Sequence, residues 1–170
     1  MVFCNQIDSL KLTVSILKII SQPNLNDHQK QQALQLWNSE YPAKLQKADV
    51  NALDDFLEPL GDKTHFLLIE NEEILGWACT FLRDNARWFF IMLSATTRGR
   101  GYGTTLLNEL KLHETELSGW VIDHNTDLKA NGELYASPLN SHLKNNFQVN
   151  DKVRLETEAM SAVKICWNRD

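Results

Sequence analysis

The 170-residue sequence predicts a mixed α/β fold of the α+β type, with a mostly antiparallel sheet between helices. Two observations lead to this prediction. Three apolar runs between residues 65 and 93 are separated only by short turns, so their strands must be antiparallel neighbours. The apolar run at residues 119–123 follows a predicted helix instead, so its strand must lie parallel to the strand before that helix.

The first third of the chain predicts one strand and two helices. Apolar and polar residues alternate within residues 11–20, as in a strand with one buried face. Asn24 or Asn26 can cap a helix that ends before Pro42. A second helix is expected over residues 50–57, because its apolar residues recur at helical spacing.

The remaining chain predicts strands around two further helices. Gly76, inside an apolar run, indicates a β-bulge. Pro138 can start a short helix that ends near Asn145, where Asn146 would tolerate a left-handed backbone. The expected strands cover residues 65–70, 74–82, 88–93, 119–123, 153–157 and 162–167.

The segment between the strand at 88–93 and the following amphipathic helix is rich in glycine. Gly99, Gly101 and Gly103 stand at alternate positions, so backbone N–H groups can approach a ligand without interference from a Cβ atom. The first turn of a helix adds unpaired donors and a positive dipole end, which favour phosphate. Arg98 and Arg100 add positive charge. The segment therefore predicts a phosphate-binding loop.

Three phosphate-loop patterns compete for this segment. A dinucleotide loop needs G-x-G-x-x-G, but Thr104 stands where the last glycine should be. A Walker loop needs a lysine after its last glycine, and none follows here. The pattern R-x-x-G-x-G is met by Arg98, Gly101 and Gly103, and it resembles the acetyl-CoA pyrophosphate loop of the GNAT superfamily of N-acetyltransferases. A tight strand-to-helix turn without a ligand is the alternative.

The resemblance to this superfamily covers nearly the whole chain. The predicted order β-α-α-β-β-β-α-β-α-β-β is similar to the order of elements in the superfamily. The chain also resembles a bacterial branch of it, through W-x-x-E-Y-P at residues 37–42 and G-W-V-I-D-H at residues 119–124. The resemblance implies one domain over residues 1–170, with three α/β/α layers and a sheet of about seven strands, splayed between strands four and five.

The resemblance also implies which residues contact acetyl-CoA, the expected co-substrate, without a metal ion. The pantetheine arm would follow the fourth strand, where a backbone N–H near Leu93 polarises the thioester carbonyl. The pyrophosphate would lie on the glycine-rich loop. The implied residues are Leu93, Ser94 and Ala95 for the arm, and Arg98, Gly99, Arg100, Gly101, Gly103 and Thr104 for the pyrophosphate.

The acceptor side is implied by the two helices after the first strand, which wall the acceptor site in the superfamily. Trp37, Glu40 and Tyr41 lie at their junction and are the acceptor-side candidates. A core position for Trp37 and a supporting position for Tyr41 at the turn are equally compatible with the sequence.

The chemistry of acetyl transfer needs a route for protons. Many members carry a glutamate base on the fourth strand, but residues 88–94 contain no acid. The candidate bases are therefore Asp123, His124 and Glu40, or a water relay; strand-end hydrogen bonding is the alternative for Asp123 and His124.

The usual acid for the leaving thiolate is a tyrosine of a C-terminal motif that His142 matches here. An imidazole with a pKa near neutrality suits proton transfer; a helix-end histidine that complements the dipole is the alternative.

Composition narrows the class of protein. The net charge of −5 argues against a nucleic-acid partner. Cys4, Cys79 and Cys166 form neither a metal-binding spacing nor a disulfide framework, so a reducing cytoplasm is expected, with Cys79 and Cys166 as small buried hydrophobes. The apolar stretches are too short to span a membrane, and the N-terminus lacks the pattern of a signal peptide.

The sequence thus predicts a cytoplasmic, acetyl-CoA-dependent N-acetyltransferase. The expected acceptor is a primary amine of a small molecule or peptide, which attacks directly in a ternary complex. No nucleic-acid or membrane partner is expected, and a homodimer is compatible with the sequence. The alternatives are an acyltransferase that uses another acyl-CoA or a hydroxyl acceptor, and a CoA-binding sensor without turnover.

Overall fold

The computed structural model describes residues 16–170. The helices are α1 (Asp27–Glu40), α2 (Val50–Leu57), α3 (Tyr102–His113) and α4 (Leu139–Lys144). The strands are β1 (Leu17–Gln22), β2 (Gly61–Glu70), β3 (Glu73–Arg83), β4 (Ala86–Leu93), β5 (Glu116–Val121), β6 (Gln148–Glu156) and β7 (Ser161–Asn168). Residues 11–15 of the first predicted strand lie outside the described residues, as does Cys4.

The seven strands form one sheet in the order β1-β2-β3-β4-β5-β7-β6. Neighbouring strands are antiparallel except β4 and β5, which are parallel. Pairing between β4 and β5 is limited to Trp88 and Ser118, so the two strands separate beyond this pair. The predicted fold class is confirmed, including the splay between the fourth and fifth strands.

Helices cover both faces of β4. Phe90 and Met92 belong to a core cluster with α1 and α2, whereas Phe89 and Ile91 pack into a second cluster with α3. This division follows from the alternation of side chains along a strand. The C-terminal end of β4 is therefore held between two packed layers.

Local sequence signals account for the helix ends. α1 begins after Asn26, which forms a capping box with Gln29. α2 covers the predicted residues and follows Asp49, whose side chain accepts the Ala52 N–H. After α4, Asn146 has a φ of 62°, the left-handed conformation that the sequence predicts there.

The strands depart from the predictions mainly at their ends. β2 begins at Gly61 and β6 at Gln148, earlier than the apolar patterns indicate. The first residues of both strands are mostly exposed, and they belong to the sheet because they pair with neighbouring strands. Such pairing leaves no apolar pattern in the sequence. The predicted bulge is present beside Gly76. Gly76 pairs with Leu68 and Ile74 with Ile69, so Leu75 is the extra residue.

Two further sequence expectations concern cysteines and membranes. Cys79 is buried, and burial raises the pKa of its thiol to about 12; Cys166 is half-buried. Within residues 16–170, no helix combines the length and apolar character needed to cross a membrane.

Candidate active site

A cavity of about 420 Å³ opens at the C-terminal end of β4. Three parts of the chain form its wall: the end of α1, the segment from β4 into α3, and the loop after β5 together with α4. Its lining residues are Glu40, Tyr41, Ile91, Met92, Leu93, Ser94, Thr97, Arg98, Gly99, Gly101, Tyr102, Gly103, Thr104, Leu107, Lys129, Tyr135, Ala136, Pro138, Ser141 and His142.

The glycine-rich loop presents backbone donors to this cavity. Gly99 and Gly101 have φ angles of 72° and 77°, in the left-handed region that favours glycine. α3 then begins at Tyr102 without a side-chain cap. The N–H groups of Tyr102, Gly103 and Thr104 therefore have no partner within the helix, as at any uncapped helix start. Such an arrangement of N–H groups and helix dipole can bind a phosphate.

The two arginines of the loop have different surroundings. Arg98 lines the cavity and makes no ion pair within residues 16–170. Arg100 does not line it. Its guanidinium lies 3.7 Å from Glu70 Oε1 and 4.6 Å from the centre of the Tyr102 ring. Arg98 is thus the guanidinium available to an anion in the cavity.

The backbone of β4 offers a free edge to the same cavity. The Ser94 N–H donates to the Leu75 carbonyl oxygen across a distance of 2.8 Å. Because N–H directions alternate along a strand, the N–H groups of Leu93 and Ile91 point away from β3 and toward the splay. Of the three residues predicted along the pantetheine arm, Leu93 and Ser94 line the cavity and Ala95 does not.

Glu40 links three parts of the wall. Its Oε1 accepts the Ala95 N–H at 2.9 Å, and its Oε2 lies 2.9 Å from Lys129 Nζ. The loop that carries Lys129 is held against the segment that follows α1, since the Leu128 carbonyl oxygen accepts the Ala43 N–H at 2.8 Å. Sequence reasoning missed Lys129, and no local signal marks it, because its partner lies 89 residues away.

The other two acceptor-side candidates, Tyr41 and Trp37, differ in whether they line the cavity. Tyr41 lines the cavity. Trp37 does not: its side chain projects from α1 into the core, and its Nε1–H donates to the Leu45 carbonyl oxygen at 2.7 Å. The two rings contact edge to face with centroids 4.7 Å apart. Trp37 therefore packs against Tyr41 without reaching the cavity.

Asp123 and His124 lie outside the cavity lining. Arg154 donates to both carboxylate oxygens of Asp123 at 2.9 and 3.1 Å, and this hydrogen-bonded guanidinium holds the pKa of Asp123 below its usual range. The His124 Nδ1 lies 2.8 Å from Thr126 Oγ1. Both side chains thus have partners at the end of β5.

His142 lies in α4, where it lines the cavity with 5% of its surface exposed. The ring packs between Phe89 and Phe147, and its Nδ1 has no hydrogen-bond partner among the described residues. Burial lowers the pKa of His142 to about 4, with a further contribution from Lys111. The sequence suggests a pKa near neutrality for His142, whereas the pKa of the buried ring is lower. The imidazole is therefore uncharged at pH 7.

Tyr135 is a cavity residue that sequence reasoning missed. It lies in the polar loop after β5 and is buried against Ile122 and Ala162. Burial raises the pKa of Tyr135 to about 12, with a smaller contribution from Asp127. Its hydroxyl keeps its proton at neutral pH and can donate it in a hydrogen bond.

A smaller pocket of about 40 Å³ adjoins the cavity. Tyr41, Ile91, Tyr135, Pro138 and His142 line both spaces. The remaining wall consists of aromatic and aliphatic side chains: Phe89, Phe90, Trp120, Val121 and Ile122. We call this space the inner pocket.

Comparison with known proteins connects this geometry to a family. A sequence model described as the acetyltransferase (GNAT) family matches residues 30–126. A search of curated proteins found no match.

Three solved structures with a similar fold carry acetyltransferase in their descriptions. An aminoglycoside 6'-N-acetyltransferase complexed with coenzyme A superposes with a TM-score of 0.68 at 12% identity, covering 89% of this chain and 96% of that one. A putative acetyltransferase from Acinetobacter baylyi gives 0.67 at 13% identity, covering 92% and 94%. The ribosomal-protein-S18-alanine N-acetyltransferase from Escherichia coli gives 0.61 at 16%, covering 90% and 94%. At these identities the likeness is one of fold.

Proposed function

The chain belongs to the acetyltransferase (GNAT) family, and we propose that it transfers the acetyl group of acetyl-CoA to a primary amine by direct attack in a ternary complex. The observation that supports this proposal most strongly is that two features of the backbone open onto the same cavity. The unpaired N–H groups at the start of α3 and the free edge of β4 face one cavity.

The loop end of the cavity fits a pyrophosphate. Gly99 and Gly101 adopt a backbone that brings N–H groups to the surface, and a Cβ at either position would meet nothing within 4 Å. Arg98 adds a charge-assisted donor beside them. Acetyl-CoA supplies the activated acetyl thioester when bound.

The free edge of β4 suits the pantetheine arm and the thioester of acetyl-CoA. N–H groups of Leu93 and Ile91 point into the splay, where they can pair with amide groups of a pantetheine arm. A fixed backbone N–H also stabilises negative charge that develops on a carbonyl oxygen. Such donors are already in place before the reaction and need no reorganisation.

The proton donors and acceptors that line the cavity suit an amine that binds as its free base. Glu40 is the one carboxylate among the described lining residues, and both of its oxygens are engaged. Asp123 and His124, the other candidate bases, lie outside the lining. His142 and Tyr135 remain as hydrogen-bond donors toward the departing sulfur.

The direct test is a thiol-release assay with acetyl-CoA and a panel of primary amines, with mass spectrometry of the products. We expect one acetylated amine for each thiol released. Initial rates with both substrates varied should give intersecting lines, as in a ternary complex. Parallel lines together with an acetylated protein would indicate a covalent enzyme intermediate and contradict direct attack.

A second candidate is a CoA-binding protein without turnover. It is favoured by the absence of an unpaired carboxylate among the described residues that line the cavity. Saturable acetyl-CoA binding without thiol release from any amine would support this candidate.

A further inference from the structure

With the glycine-rich loop and the β4 edge assigned to acetyl-CoA, the inner pocket and the wall around Glu40 are left for the acceptor, and we call this part the acceptor end. Among the residues that the structure describes, it contains no free charge. The inner pocket is lined by aromatic and aliphatic side chains and by the imidazole of His142. Within residues 16–170, no carboxylate, ammonium or guanidinium lines it. A cation placed there would lose its hydration without gaining a counter-ion, which is unfavourable.

Glu40 is the carboxylate that a cationic acceptor could otherwise use. Lys129 already occupies it, and the two side chains are only 13% and 4% exposed. A second cation could reach Glu40 only by displacing Lys129, whose ammonium would then stay buried and unpaired. The Ala95 N–H holds the other oxygen of Glu40. Asp127, an acid on the same loop as Lys129, pairs with Lys44 at 2.7 Å and does not line the cavity.

We propose that Lys129 determines acceptor specificity: by neutralising Glu40 it excludes polycationic amines and leaves a site for a primary amine on an uncharged, largely apolar skeleton. This inference rests on the proposed function. The amine sheds its ammonium proton to solvent before it enters. Its nitrogen then forms a bond to the acetyl carbon as the C–S bond breaks, and the nitrogen loses one proton while the sulfur gains one.

The test compares 2-phenylethylamine with spermidine as acceptors. We expect the kcat/KM of the parent protein for 2-phenylethylamine to exceed that for spermidine at least tenfold. Lys129→Met frees the Glu40 carboxylate and should move this ratio at least tenfold toward spermidine. The double variant Lys129→Met with Glu40→Gln removes both charges and should restore the parental preference. Lys44→Met removes the lysine of a pair outside the cavity lining and should leave the ratio unchanged.

A binding measurement keeps the inference separate from the proposed function. With saturating CoA, 2-phenylethylamine should raise the thermal midpoint more than spermidine does, and Lys129→Met should reverse this order. If no amine releases thiol, the proposed function fails, and the order of binding still decides the inference. A parent protein that prefers spermidine, a Lys129→Met ratio equal to the parental one, or binding of neither amine would overturn it. If Lys129→Met does not fold, Lys129→Gln, which also removes the ammonium, replaces it in both measurements.

Discussion

A Cβ atom placed on Gly103 would lie 3.3 Å from Leu93 Cδ1, so the first turn of α3 rests directly on the last residue of β4. This distance is shorter than ordinary van der Waals contact, and Leu93 is also packed close to Gly76 on β3. The contact holds the unpaired N–H groups of the helix start at a fixed position relative to the free edge of β4. A side chain at position 103 would therefore require Leu93 to shift.

Gly101→Val should abolish the rise in thermal midpoint that acetyl-CoA gives to the parent protein. Gly101 has a φ of 77° with open space around its Cβ position. The variant loses stability through backbone strain of about 1–2 kcal/mol and also places a side chain where the pyrophosphate is proposed to lie. Thermal denaturation with and without acetyl-CoA measures both effects.

Gly132→Val is the matched control for this experiment. Gly132 has a φ of 82°, also has nothing within 4 Å of its Cβ position, and does not line the cavity. The control should lose similar stability but keep the shift with acetyl-CoA. A full ligand shift in Gly101→Val would mean that the pyrophosphate does not contact this loop.

Arg98→Ala should raise the KM for acetyl-CoA roughly tenfold to a hundredfold, as expected for loss of a charge-assisted contact. The KM for the amine should change little. Arg100→Ala should have a much smaller effect, because Arg100 faces Glu70 and the Tyr102 ring. Steady-state kinetics on both variants makes the comparison. Equal effects of the two variants, or equal effects on both substrates, would contradict the assignment of Arg98.

His142→Ala should lower kcat by at least tenfold with acetyl-CoA affinity retained, and His142→Tyr should restore part of the loss. An uncharged imidazole with a pKa of about 4 acts as an N–H donor, as a phenol acts as an O–H donor. The pH–rate profiles of the parent and the Tyr variant should therefore agree between pH 5 and 9. A kcat for His142→Ala within about twofold of the parent, roughly 0.4 kcal/mol of barrier, would remove His142 from the mechanism.

The free energy of unfolding should fall as the pH is lowered from 6.5 to 4. Burial lowers the pKa values of His142 and His65 to about 4, so the unfolded state binds more protons in this window and stability rises with pH across it. Each histidine contributes about 3 kcal/mol to the loss when it is complete. Urea denaturation at several pH values should show a smaller loss for His142→Phe than for the parent. Identical losses would mean that His142 titrates normally.

Local sequence signals were sufficient for the order of elements and for the glycine-rich start of α3. The alternating glycines after an apolar strand predict backbone donors at a helix start, because glycine conformation and helix termini are properties of a few adjacent residues. The same locality explains why Asn26 was one of the two predicted caps, since its capping box lies within four residues. Polar strand ends such as Gly61 escaped prediction because their place depends on pairing with another strand.

The composition of the candidate site depended on residues far apart in the chain. Glu40 becomes a charge partner of Lys129 across 89 residues, and Asp123 is engaged by Arg154 across 31. The pKa of His142 is set by Phe89 and Phe147 packing around it and excluding water, rather than by its neighbours in α4. The sequence by itself thus determined the order of elements and the left-handed glycines before α3, since these follow from local patterns, and its family resemblance implied the arrangement of the sheet. Only the tertiary structure decided which side chains share the cavity and which charges cancel, because burial and pairing arise when distant segments pack together.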